Sequence, residues 1–170
     1  IFPPYDWARQ LLGENADNAE LTLLLDNGVD LHSYEPTAAD MVSISSCDMF
    51  IYAGGESDDW VQDALQTASN PDMVVVNLLE VLGDDVKQEE LVEGMEHGHD
   101  EGDEGEGDEH GHDEEGEPDE HVWLSLRHAQ TLCSHIAQQL GVVDPANADT
   151  YLANAAAYNQ QLTELDADYQ

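Results

Sequence analysis

The chain has 170 residues, 41% of them hydrophobic, which is enough for one domain with a sizeable core. Its 39 Asp and Glu stand against 3 Lys plus Arg, a formal net charge of -36. That balance excludes nucleic acid and anionic membrane as partners, because phosphate binding needs clustered Lys and Arg, and it makes cations the natural small partners. A salt-loving host, whose proteins carry solvated acidic surfaces, is a second source of such acidity. No segment reaches the roughly 18 consecutive apolar residues of a membrane span. The opening "IFPPYDW" is no signal peptide, and the chain reads as a mature or trimmed form, so the missing signal does not argue for the cytoplasm. Cys47 and Cys133 match no metal spacing. Two buried free thiols are expected, with a disulfide open only if the fold brings them together.

In chain order, "PPYDWARQLLG" predicts a helix with proline in its first turn and Gly13 past its end. "AELTLLL" predicts a strand broken by "DNG". "PTAADMVSISS" predicts a helix with Pro36 early in it, and "DMFIYAGG" a short strand ended by glycines. "SDDWVQDALQTAS" predicts a helix capped by Ser57, and "DMVVVNLL" another buried strand. Short apolar strands separated by helices imply a parallel sheet with helices on both faces.

From about Asp84 to Asp119 the composition changes to acid, Gly and His, and "HGHDE" occurs twice. Such a segment cannot bury enough apolar area to offset its ordering entropy, so a mobile insert, disordered without metal, is expected inside the domain. Structure is expected to resume with "HVWLSLRHAQTLCSHIAQQLG", a short extended piece and a helix ending at Gly141. A second long helix runs from "DPANADTY" to the last residue, and a chain ending in helical pattern suggests that more protein follows.

Two histidines stand apart from the insert. His32, in "DLHSYEP", lies after a strand and before a helix, where ligands of open α/β sheets gather. His121, in "DEHVWLS", lies where the insert re-enters the fold. A neutral imidazole is the commonest metal ligand, but two lone histidines do not by themselves establish a site.

Five stretches together, "PPYDWARQLLG", "GVDLHSYEPTAADM", "CDMFIYAGGESDDWV", "DEHVWLSLRHA" and "DPANADTYLANAAAYNQQLTELDADY", resemble the metal-binding receptors of ABC transporters that import zinc or manganese, the ZnuA-like high-affinity zinc-uptake family. The resemblance covers nearly the whole chain apart from the insert. It implies two α/β lobes joined by a long helix, with metal in the cleft between them. Residues 1–141 would be the N-terminal lobe and residues 142–170 the start of the linking helix, with the second lobe absent. The family's first two histidine ligands fall on His32 and His121, so this chain would hold half a cleft site for zinc, with manganese the alternative. The remaining ligands, a histidine and a carboxylate, would come from the second lobe. The chain departs from the family where Glu120 and Leu31 replace proline and where Cys47 replaces alanine. Glu120 reads first as a solvated acid, with orientation or ligation of His121 as the other reading.

The resemblance also bears on the insert, since zinc importers often carry a His- and acid-rich loop at this place. His97, His99, His110 and His112 supply nitrogen ligands on a flexible backbone, and the ordering cost makes their binding weak. A zinc-collecting arm and a tolerated, solvated insert both remain open. The implied protein is an extracytoplasmic receptor, periplasmic or lipid-anchored and expected as a monomer, delivering zinc to a membrane permease. A metal-buffering acidic protein is the alternative. A zinc hydrolase using Glu35 or Glu120 to activate water lacks a His-Glu-x-x-His motif or a third rigid histidine. His128 and His135, two turns apart on one helix, read as structural or surface residues, and Trp7, Trp60 and Trp123 as packing groups.

Overall fold

The structure, a computed structural model, describes residues 1–25, 30–86 and 118–169. Helix α1 (Phe2–Leu12) starts on Pro3 and Pro4, where a missing N–H costs nothing, and stops at Gly13, whose φ of 55° suits glycine. Trp7, Ala8, Leu11 and Leu12 form its buried stripe. Helix α2 (Ala38–Ser46) begins with a reciprocal cap. The Asp40 N–H donates to Thr37 Oγ1, and the Thr37 N–H donates back to the Asp40 carboxylate at 2.8 Å. Pro36 therefore precedes the cap and lies outside the helix.

Strands β1 (Met49–Tyr52) and β2 (Val74–Asn77) pair in parallel, Met49 opposite Val74 and Tyr52 opposite Asn77. Helix α3 (Trp60–Gln66) lies between them in sequence and α4 (Leu78–Leu82) follows β2 directly. The expected β2 strand thus turns helical at Leu78, where the Asn77 side chain caps the Glu80 N–H. Alternation along β1 assigns its faces. Met49 and Ile51 pack on a core built from α1, α4, α5 and α6, whereas Phe50 belongs to a second cluster with Ile44 of α2 and Val61 and Ala64 of α3. Helices therefore cover both faces of a parallel sheet, as the alternation of strand and helix predicts.

Residues 19–25, expected as a strand, form no ladder. They run irregularly beside β1, with Leu21 packed on one cluster and Leu24 on the other. The run is apolar but leucine-rich, with Thr22 its one β-branched residue, so it carries a burial signal without the stiffness that favours a strand.

Helix α5 (Leu126–Val143) is capped by Ser125, which accepts from the His128 N–H. It buries Ala129, Leu132, Cys133, Ile136, Ala137 and Leu140 along one face. Each large aliphatic side chain so buried stabilises by roughly 1.5–3 kcal/mol. The helix continues through Gly141 to Val143. Glycine stands there because α6 (Ala148–Asp168) starts close by: a Cβ on Gly141 would lie 2.9 Å from that of Ala148. Helix α6 packs on α5 and α1 through Tyr151, Ala155 and Leu162, and Asn154 Nδ2 donates to the Leu11 carbonyl of α1. The expected boundary at 141/142 thus falls inside the last turn of α5, and α6 shares the same core.

Candidate metal centre

Strand β1 runs out at its carboxyl end into Ala53-Gly54-Gly55. Both glycines have positive φ, 91° and 83°. A Cβ on Gly54 would overlap the Asn77 side chain, and one on Gly55 would overlap the Glu120 carboxylate. The turn is closed by Asp58, which accepts the Gly54 N–H at 2.9 Å. Burial raises the Asp58 carboxyl above the ordinary range, the Gly54 hydrogen bond opposes that, and the Glu120 charge adds to the rise.

Above this turn stand the two expected ligands. His32 sits in a 3-10 turn (Leu31–Ser33) and donates its backbone N–H to the Asp30 carboxylate at 3.0 Å. His121 donates its backbone N–H to the Asp119 carboxylate at 2.9 Å, just before a 3-10 turn (Val122–Leu124) that replaces the expected extended piece. The same local device, an Asp two residues before each histidine, holds both backbones. The two rings lie side by side with centroids 5.7 Å apart, tilted by 53° to one another. A ring centroid lies about 3 Å from a metal bound at its nitrogen, so two imidazoles on one tetrahedral ion have centroids about 5 Å apart.

Each ring is held on its Nδ1 side. His121 Nδ1 lies 2.9 Å from Asp119 Oδ1, and the two hydrogen bonds from His121 keep the Asp119 carboxyl below the usual range. His32 Nδ1 lies 2.8 Å from Ser57 Oγ and 3.8 Å from Glu120 Oε2. With both Nδ1 atoms engaged, the Nε2 atoms are left for a ligand, as in metal sites where a second group orients the imidazole.

Two expectations change here. Ser57 does not cap α3: its hydroxyl meets His32, and its N–H donates to Glu120 Oε1 at 2.9 Å. Glu120 is not a solvated acid, for it is only 6% exposed and packs against the turn at Gly55. Sequence reading missed Ser57 because it lies far from both histidines in the chain. The Asp-x-His pattern at Asp30 and Asp119 was the legible signal for the rest.

His97, His99, His110 and His112, expected as loop ligands, lie outside the described residues, as does the expected disorder of that loop. The described ends of the insert are a 3-10 turn (Gly83–Asp85) with Val86 packed on the core, and residues 118–119 leading to the site. His128 and His135 lie on α5. Among the described residues, no group of three His, Cys, Asp or Glu is placed to hold a metal. Cys47 and Cys133 are both free thiols. Cys133 is fully buried and its thiol is pushed up to about 12 by desolvation, whereas Cys47 is half-buried.

A family model described as "Zinc-uptake complex component A periplasmic" (ZnuA) matches residues 1–170. The chain belongs to the ZnuA family. Among similar ZnuA-family proteins, the zinc-binding lipoprotein AdcA of Streptococcus pneumoniae is 36% identical over 172 residues, covering 99% of this chain and 31% of AdcA. The high-affinity zinc uptake system protein ZnuA of Bacillus subtilis is 33% identical over 169 residues, covering 99% of this chain and 48% of that protein. The crystal structure of Zn(II)-bound AdcA from S. pneumoniae superposes with a TM-score of 0.72 at 27% identity, covering 98% of this chain and 30% of that one. This member of the ZnuA family therefore spans about a third of the length of the AdcA proteins and about half of the Bacillus protein it matches.

Proposed function

We propose that this chain is the metal-receiving lobe of an extracytoplasmic zinc receptor, periplasmic or lipid-anchored, that passes the ion to a membrane ABC permease. The observation that carries the reading is the neighbouring pair His32 and His121 at the carboxyl end of β1, each ring held on its Nδ1 side. Two imidazoles favour zinc over manganese, which prefers oxygen ligands. They leave a tetrahedral zinc two positions short, and groups from a second lobe complete the shell. The relatives' printed names, zinc-binding lipoprotein and zinc uptake system protein, support the same metal. The role is carriage and not catalysis, and the charge of -36 suits a monomer with no nucleic-acid partner. His97, His99, His110 and His112 form a second, weaker class of zinc site in this reading.

Calorimetric titration of the full chain with zinc tests it. Two classes of site are expected, and His32→Ala or His121→Ala should erase the tighter one while the weaker class remains. If both variants keep the tighter class, the cleft is not the principal site and the receptor reading falls.

A further inference from the structure

The Glu120 side chain is 7% exposed and one of its oxygens has no role in the site as described so far. Oε1 accepts the Ser57 N–H. Oε2 is buried without a hydrogen-bond partner among the described residues, 3.8 Å from His32 Nδ1. A buried carboxylate oxygen left without a partner is costly, so its aim at an imidazole nitrogen needs a reason. Resting on the receptor reading above, we propose that Glu120 is a positioning residue for His32: it holds the imidazole proton on Nδ1 and so keeps the Nε2 lone pair free for zinc.

The need for such a residue follows from the other contact. Ser57 Oγ, 2.8 Å from His32 Nδ1, can donate or accept and therefore does not select a tautomer. If the hydroxyl donates to Nδ1, the ring proton sits on Nε2 and blocks the metal. A carboxylate only accepts, so Glu120 beside Nδ1 disfavours that arrangement. A metal on Nε2 makes Nδ1–H a stronger donor, and a shift of about 1 Å closes the gap from 3.8 Å to hydrogen-bond length. Neighbouring residues then serve the two ligands separately, Asp119 holding His121 and Glu120 holding His32. Gly55 makes this possible, because any side chain there would displace the Glu120 carboxylate.

Glu120→Gln is the informative variant. Gln matches Glu in shape, and the Ser57 N–H still requires an acceptor, so the Gln carbonyl oxygen takes the Oε1 place. The amide nitrogen is then left facing His32 Nδ1 as a donor, which inverts the preferred tautomer. Long-range ¹H–¹⁵N NMR of the labelled full chain without metal should show His32 protonated on Nδ1 in the parent and in Glu120→Asp, but on Nε2 in Glu120→Gln. His121 should be the same in all three, which also reports an intact fold. Zinc affinity read from the His32 ring signals should fall about 10- to 100-fold in Glu120→Gln. An unchanged His32 tautomer in Glu120→Gln overturns the proposal, as does an unchanged affinity at His32. If zinc leaves both parent rings untouched, the receptor reading fails instead, and the metal-free tautomer comparison still decides the role of Glu120.

Discussion

The Ser57 backbone N–H donates to the Glu120 carboxylate across 2.9 Å, although 63 positions of chain separate the two. That bond ties the turn after β1 to the segment carrying His121, and through the Ser57 hydroxyl it reaches His32. One turn therefore sets the relative placement of both imidazoles.

Ser57→Ala removes the hydroxyl and keeps the N–H. Stability should change by less than about 0.5 kcal/mol, because the backbone bond to Glu120 survives. Zinc binding in the cleft should weaken by roughly tenfold, since His32 loses its nearest Nδ1 partner. Competition against a chelating zinc dye, with urea unfolding alongside, separates the two effects.

Gly55→Ala should harm both fold and site. The residue has φ of 83°, which a side chain adopts at a cost of about 1–3 kcal/mol, and its Cβ would overlap Glu120. A lower urea midpoint is expected together with weaker zinc binding, and a variant as stable as the parent would contradict the packing described.

Gly141→Ala sets two effects against each other. Alanine improves helix propensity by about 1 kcal/mol. Its Cβ would meet the Ala148 Cβ at 2.9 Å, and neither methyl can rotate away. Overpacking of this kind costs about 1–3 kcal/mol, so a net loss of stability is expected. Thermal unfolding monitored by circular dichroism decides the sign.

Asp144 accepts from the Tyr151 hydroxyl at 2.6 Å and from Asn147 Nδ2 at 2.8 Å. The Tyr151 bond, with help from Asn147, holds the Asp144 carboxyl below its ordinary value of 3.8. A depressed carboxyl contributes stability that is complete above the ordinary value and is lost as pH falls through the depressed one. Asp144→Asn should therefore lower the melting temperature at neutral pH. The gap to the parent should close only below about pH 3.8, as the parent carboxyl takes its proton. A gap that persists unchanged in acid would show that the carboxylate charge is not what holds Tyr151.

Much of the fold was open to reading along the chain. Pro3 and Pro4 before a periodic stripe announced α1, and β1 and β2 were visible as apolar runs, although the second was read two residues too long, through Leu79. The misread elements share a cause. Residues 19–25 carried apolarity without β-branching, and Gly141 looked like a helix end because its real role, room for Ala148, involves a different helix. Ser57 had the local signature of a cap, yet its N–H and its hydroxyl both meet partners remote in sequence.

By itself the sequence determined the class of fold, the net acidity and the two histidines outside the insert. Those are properties of composition, periodicity and local spacing, which side chains express within a few residues. Only the tertiary structure decided that Ser57 and Glu120 belong to the site, that Glu120 is buried, and that the His32 and His121 rings meet 5.7 Å apart. The physical reason is that a hydrogen bond between distant segments leaves no periodic trace in the chain. It forms only when packing on both faces of the sheet brings those segments together, and a carboxylate's exposure follows from that packing and not from its own chemistry.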